Sequence, residues 1–209
     1  TVSADVGLVA PSVQPALHGR LLWSLTDDGV LSLGMRLRRT LGFPSLPRLG
    51  LRLFLPESMS QVDYYGLGPQ ESYVDKRRAS HHGAFSAEVV DLHEDYIRPQ
   101  ENGSHADCNK VIVSGGGLSL AVVGPTPFSF NASRYTQEEL AARHRNTDLT
   151  PSGSTVLCLD AAMAGIGSNS CGPALRPRYQ VDSQELGMEL HLLLNPLISH
   201  TSTHNEVTL

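Results

Sequence analysis

At 209 residues, with 40% hydrophobic and 18% charged residues, the chain suits one globular domain with a sizeable core. Its 19 glycines and 13 prolines, at this low charge, favour a loop-rich all-β protein over a helical bundle, where Lys, Glu and Arg would abound. A net charge of −5 without a basic run gives nucleic acid no electrostatic footprint, and no apolar run approaches the ~20 residues of a membrane-spanning helix.

Residues 1–16 read as irregular, and TVSADVGLVAPS lacks the basic and apolar regions of a secretory leader. Leu17–Leu25 and Val30–Leu37 then flank Asp28-Gly29, whose glycine supplies the positive φ of a hairpin turn. Leu49–Leu55 alternates leucine with other residues, as a strand with one buried face does. Gln61–Tyr65 is a further strand, which Gly66-Leu67-Gly68-Pro69 is expected to break. Lys110–Val113 and Leu118–Val123 bracket Gly115–Gly117 as a second hairpin, and Thr155–Ala161 and Gly187–Leu194 complete the strands. One helix intervenes: Thr136-Gln137-Glu138-Glu139 has the form of a capping box, continued from Leu140 to Arg145. The pattern is a single domain over 1–209, an all-β sandwich with one short helix, ending in a flexible tail at 198–209.

Cys108, Cys158 and Cys171 are an odd count without CxxC spacing, which disfavours a disulfide framework or a zinc site and fits a reduced, cytoplasmic setting. Asn102-Gly-Ser and Asn131-Ala-Ser match the glycosylation sequon, a pattern common by chance.

Four groups of residues carry possible chemistry. His81, His82, His93 and His105 lie near Glu88, Asp91, Glu94, Asp95 and Asp107, but without a helical His pairing they read as exposed loop histidines. Glu71, Asp75 and Glu101 are candidates for the paired carboxylates of glycoside hydrolysis, yet they sit among turn residues, where carboxylates accept from backbone amides. Gly115–Gly117 lacks the Lys-Ser/Thr of a phosphate loop, and no GxSxG elbow marks a nucleophilic serine. The loop Gly165-Ile166-Gly167-Ser168-Asn169-Ser170-Cys171-Gly172-Pro173 offers backbone amides and small polar groups suited to hydroxyl-rich ligands.

Taken in order, YYGLGPQESYVDK, YIRPQENG, FSFNASRYTQEELAARHR and LDAAMAGIGSNSCGP resemble the C-terminal domain of the β-galactosidases of glycoside hydrolase family 2. The likeness runs from about Pro47 to Pro173, with Ser72 and Lys76 standing where the family usually has Asn and Arg. It implies a sandwich of the galactose mutarotase-like supersandwich type, within a longer enzyme that hydrolyses terminal β-D-galactosides such as lactose. It implies too that the catalytic glutamates, and the magnesium and sodium of the full enzyme, belong elsewhere. No catalytic residue, metal ligand or cofactor is then expected in this segment. Glu71, Tyr73, Asp75, Glu101 and Asn102 become structural motif residues, and Asn169, Ser170 and Cys171 become the substrate-binding rim. An aromatic is familiar where Cys171 stands, and a cysteine has no π face.

The partners implied are a β-galactoside and the remaining domains of the enzyme, with a possible homo-oligomer and neither nucleic acid nor membrane. The isolated chain is expected to be inactive. The alternative is a free-standing carbohydrate-binding sandwich; a mutarotase-like epimerase has only shared fold in its favour.

Overall fold

The computed structural model describes residues 1–9, 14–167 and 173–196. Ten strands form one hydrogen-bonded antiparallel network: β1 (Val2–Leu8), β2 (Leu17–Leu25), β3 (Val30–Arg39), β4 (Arg48–Pro56), β5 (Gln61–Gly68), β6 (His81–Glu88), β7 (Ser104–Gly115), β8 (Leu118–Ser133), β9 (Ser154–Met163) and β10 (Glu185–Pro196). The order is β1-β2-β3-β10-β8-β7-β5-β6, with β9 joined to β8 and β4 joined to β9. One helix, α1 (Gln137–Ala142), lies between β8 and β9. Among the described residues the expected all-β sandwich with a single short α-helix is what the chain builds.

The long strand β8 makes the sandwich possible. Residues 118–123 pair with β7 and β10, whereas Ser129–Ser133 pair with β9. Between them Gly124-Pro125-Thr126-Pro127 interrupts the ladder. The partner strand β7 has register shifts between His105 and Lys110, and Asp107 adopts φ +54 there. Bulges of this kind turn a strand from one layer towards another.

Alternation then fills the space between the layers. Leu33, Val62, Val111, Val113, Val122, Phe130, Leu157, Leu159 and Leu190 are all essentially inaccessible to solvent. Each such side chain contributes about 1.5–3 kcal/mol of hydrophobic stabilisation. The leucines of β4 at 49, 51, 53 and 55 face this core, while Phe54 is exposed.

Several expectations are corrected. Residues 2–8 are not irregular: Val2, Ala4, Val6 and Leu8 alternate with smaller or polar residues, and β1 pairs along its whole length with β2. The segment after Tyr65 is not a break, since β5 continues to Gly68. Its glycines are there for close approach, because a Cβ on Gly66 would lie 2.1 Å from the Cys108 Sγ, and one on Gly68 2.2 Å from the Tyr64 hydroxyl. His81 and His82 open strand β6 instead of a loop, and His105 is buried. The helix stops at Ala142, and its capping box is half made. Thr136 Oγ1 accepts from the Glu139 amide at 3.1 Å, but Glu139 accepts from Arg143 and from the Thr150 amide instead of reaching back. The expected tail at 198–209 lies outside the described residues.

Candidate functional site

Strand β5 delivers the chain to a tight turn, in which Tyr73 and Lys76 exchange backbone hydrogen bonds at 2.9 and 3.1 Å. Glu71, Tyr73 and Asp75 lie in or beside this turn, and Gly103, next to Asn102, donates to Glu71. Glu71 is buried, so its charge survives only through dense hydrogen bonding. Lys76 and the Tyr96 hydroxyl both donate to Oε1, and the Gly103 amide donates to Oε2 at 2.7 Å. Burial opposes ionisation here, but these donors outweigh it and hold Glu71 below the usual carboxylate range. Tyr73, also buried, receives the Ser104 amide at 3.5 Å. Burial and the neighbouring Glu71 carboxylate push its phenol far up, so it stays protonated. Ser72 donates its amide to the Ser104 carbonyl, and its hydroxyl accepts from Ala106 at 2.9 Å.

Asn102 belongs to the same knot. Its Oδ1 accepts from the Glu94 amide at 3.0 Å, its Nδ2 donates to the Gln100 carbonyl, and its own carbonyl accepts from Asn131 Nδ2. Both sequon asparagines are therefore buried and hydrogen-bonded, which leaves neither presented as a glycosylation acceptor. Gly103 follows at φ +70, and a Cβ there would sit 2.4 Å from the Leu92 carbonyl.

Glu101 departs from its expected role as an acceptor of backbone amides. Its Oε2 accepts from Arg48 Nη1 at 3.0 Å, while Arg48 Nε and Nη2 grip both oxygens of Asp160, the first at 3.0 Å. Burial pushes both carboxyls upward against the lowering effect of Arg48. Glu101 Oε1 has no partner among the described residues. Two carboxylates thus do converge, but Arg48 occupies the space between them and the Asp160 side chain is only 2% exposed. Solvent reaches only the Glu101 side, at 25% side-chain exposure, and with Arg48 bonded to both acids the pair reads as structural. Sequence reasoning missed Arg48 and Asp160. The signal was a lone aspartate in the apolar run of β9, which demands a buried partner.

Asp75 ties the turn to the loop. Its Oδ1 accepts from the Ile166 amide at 3.1 Å and its Oδ2 from the Gly167 amide at 2.8 Å. The loop residues Asn169, Ser170 and Cys171 lie outside the described residues. Beside this neck is a cleft of about 270 Å³, whose lining includes Tyr73, Val74, Arg77, Met163 and Tyr179.

The histidines do not assemble. His105 is buried against Tyr64 and Phe130, with ring centroids 4.6 and 5.2 Å away, and Nδ1 contacts the Leu67 carbonyl at 3.2 Å. Burial lowers its pKa to about 4. His82 reaches the Asp107 carbonyl, and His93 packs on Tyr135. Among the described residues no three His, Cys, Asp or Glu side chains could hold a metal ion. Cys108 and Cys158 are buried free thiols, pushed up by burial to about 12 and about 11. No helix among the described residues is long and apolar enough to cross a membrane.

Residues 2–194 match the family described as beta galactosidase small chain. The β-galactosidase of Actinobacillus pleuropneumoniae is 40% identical over 186 residues, which cover 87% of this chain and 18% of that protein. The β-galactosidase of Staphylococcus xylosus is 38% identical over 188 residues, covering 90% of this chain and 19% of that protein. The chain therefore spans less than a fifth of the length of these relatives. A putative aldose 1-epimerase from Escherichia coli K12 is similar at a TM-score of 0.49 and 11% identity, covering 93% of this chain and 65% of its own. With the family matched from residue 2 to 194, the chain belongs to the β-galactosidase small-chain family.

Proposed function

We propose that the chain works as the small-chain region of a β-galactosidase that hydrolyses terminal β-D-galactosides such as lactose. Its share of that work is scaffold and one rim loop, carrying Asn169, Ser170 and Cys171, and not the catalytic carboxylates. One observation carries this reading: each of the motif carboxylates Glu71, Asp75, Glu101 and Asp160 is already held by at least one donor, Glu101 through Oε2 alone. Glu71 is held by Lys76, Tyr96 and Gly103, Asp75 by two amides, and Glu101 and Asp160 by Arg48. General acid–base chemistry needs a carboxyl group free to meet a glycosidic oxygen or a water.

The catalytic glutamates, and any magnesium or sodium, are assigned to the remainder of the enzyme. The partners are the galactoside, those remaining domains and a further copy of the enzyme; neither nucleic acid nor a membrane is a partner. The buried free thiols suit a reducing, cytoplasmic setting.

The test replaces the matching segment of the Actinobacillus pleuropneumoniae relative with residues 2–194. The chimaera is expected to hydrolyse a chromogenic galactoside, and the purified 209-residue chain is expected not to. Turnover by the chain alone would overturn the proposal.

A further inference from the structure

The cleft of about 270 Å³ beside Tyr73 lies at a basic corner of an acidic chain. The net charge is −5, with 16 lysines and arginines in all. Five of these, Lys76, Arg77, Arg78, Arg176 and Arg178, fall in two short segments that each supply lining to this cleft. Lys76 is taken by Glu71 and Arg77 by Asp107. No carboxylate among the described residues pairs with Arg78, Arg176 or Arg178.

The two arginines of the lining are held in place by different means. Arg77 Nη2 donates to Asp107 Oδ2. Asp107 is the one non-glycine residue at positive φ among the described residues, and it sits in the irregular part of β7. Bulges re-aim side chains, and left-handed backbone outside glycine is kept at an energetic cost. Arg178 lies flat on its neighbour: its Cζ is 4.7 Å from the Tyr179 ring centroid, and its Nη2 donates to the Tyr179 hydroxyl at 2.8 Å. Most of its N–H donors are left for whatever enters the cleft. With two arginines against one aspartate, the lining keeps a net positive charge.

Ser104 lines the same cleft, is 1% exposed, and its Oγ has no partner among the described residues. A buried hydroxyl left unpaired costs about 1–3 kcal/mol, so an acceptor brought into the cleft gains from meeting it. Phe128, Ala161, Val181 and Leu186 give the cleft an apolar side. Two guanidiniums, a hydroxyl and an apolar wall together suit a molecule with an anionic head and a carbon body.

We propose that this cleft binds a small organic oxyanion, a carboxylate or a phosphate ester, with its charged oxygens on Arg77 and Arg178 and its body against Phe128 and Leu186. Asp107 is the positioning residue for Arg77. Galactoside chemistry plays no part in this binding.

The test titrates the 209-residue chain with benzoate, phenyl phosphate and benzyl alcohol at constant ionic strength, followed by NMR. At least one anion is expected to give saturable shifts at the Val74, Arg77, Ser104 and Tyr179 amides, and the tighter of the two identifies the preferred head group. Benzyl alcohol has the ring without the charge and should bind about tenfold more weakly. Arg178→Gln changes an exposed side chain, so the fold should persist while anion affinity falls by about tenfold. Ser104→Ala removes a hydroxyl that is already unpaired and should lower affinity by about threefold at an unchanged melting temperature. Arg36→Gln, outside the lining, should leave affinity unchanged. No saturable shift with either anion, equal binding of benzyl alcohol, or a loss in Arg36→Gln as large as in Arg178→Gln would overturn the proposal.

Discussion

Replacing Arg48 with methionine is expected to be among the most damaging single changes to the sandwich. The guanidinium spans two carboxylates, with Asp160 2% exposed and Glu101 25% exposed at the side chain. Methionine keeps part of the apolar stem and removes all the donors, so Asp160 remains buried, and Glu101 half-buried, without their cationic partner. Breaking a buried pair in this way costs about 3–5 kcal/mol. For a domain of this size each kcal/mol lowers the melting temperature by about 2–4 °C, so the fall should be roughly 6–20 °C. The pH dependence supplies an independent check. Burial already raises the folded-state pKa of both carboxyls, and loss of Arg48 raises them further. A carboxyl with a raised folded pKa favours folding when protonated, and that contribution is lost as pH rises through the folded pKa. The deficit of Arg48→Met should therefore shrink between neutral pH and about pH 4, where carboxyls ordinarily titrate. Urea unfolding followed by circular dichroism across that range measures it. A loss below about 1 kcal/mol at pH 7, in the range of an exposed ion pair, or a deficit that grows on acidification, would refute the reasoning.

Three further outcomes are expected. Glu71→Gln should cost about 1–3 kcal/mol at neutral pH, with Lys76 contributing the smaller part because it is nearly half exposed. Because the Glu71 pKa is depressed on folding, its contribution is present above the ordinary carboxyl range and lost as pH falls through the folded value, so the variant's deficit should vanish in acid. His105, held near pKa 4 by burial, should show no NMR titration between pH 8 and pH 5; a midpoint near 6.5 would contradict its packing against Tyr64 and Phe130. Strand β4 pairs only with β9 among the described residues, and an open edge invites pairing. Light scattering on the concentrated 209-residue chain should therefore detect dimers or larger species, and a clean monomer would contradict this.

Much of the fold was legible because alternation survives in the strands that line the core. Leu49, Leu51, Leu53 and Leu55 announce β4, and Asp28-Gly29 announces the first hairpin. Strand β6 was hidden because its inward side offers only Gly83, Phe85 and Ala87 beside two histidines. Strand β1 was hidden by its edge position, where weak apolar alternation suffices. The contact between Asp75 and the amides of Ile166 and Gly167 could not be read from one sequence, since ninety-one residues separate Asp75 from Ile166. A Gly-x-Gly pattern also fits a simple turn as readily as a close approach. Arg48, Glu101 and Asp160 were illegible as a unit for the same reason: folding, and not local pattern, brings them together.

In the proposed function this chain shapes the rim of a galactoside site and leaves bond cleavage to the rest of the enzyme. The most direct measurement is the ratio of kcat/KM for two galactosides with different aglycones, taken in the chimaera with and without Cys171→Trp. An indole in place of the thiol adds a stacking face, so the ratio should move by about tenfold, the effect of roughly 1.4 kcal/mol of differential contact. A ratio that stays the same while the chimaera remains folded and active would contradict the claim.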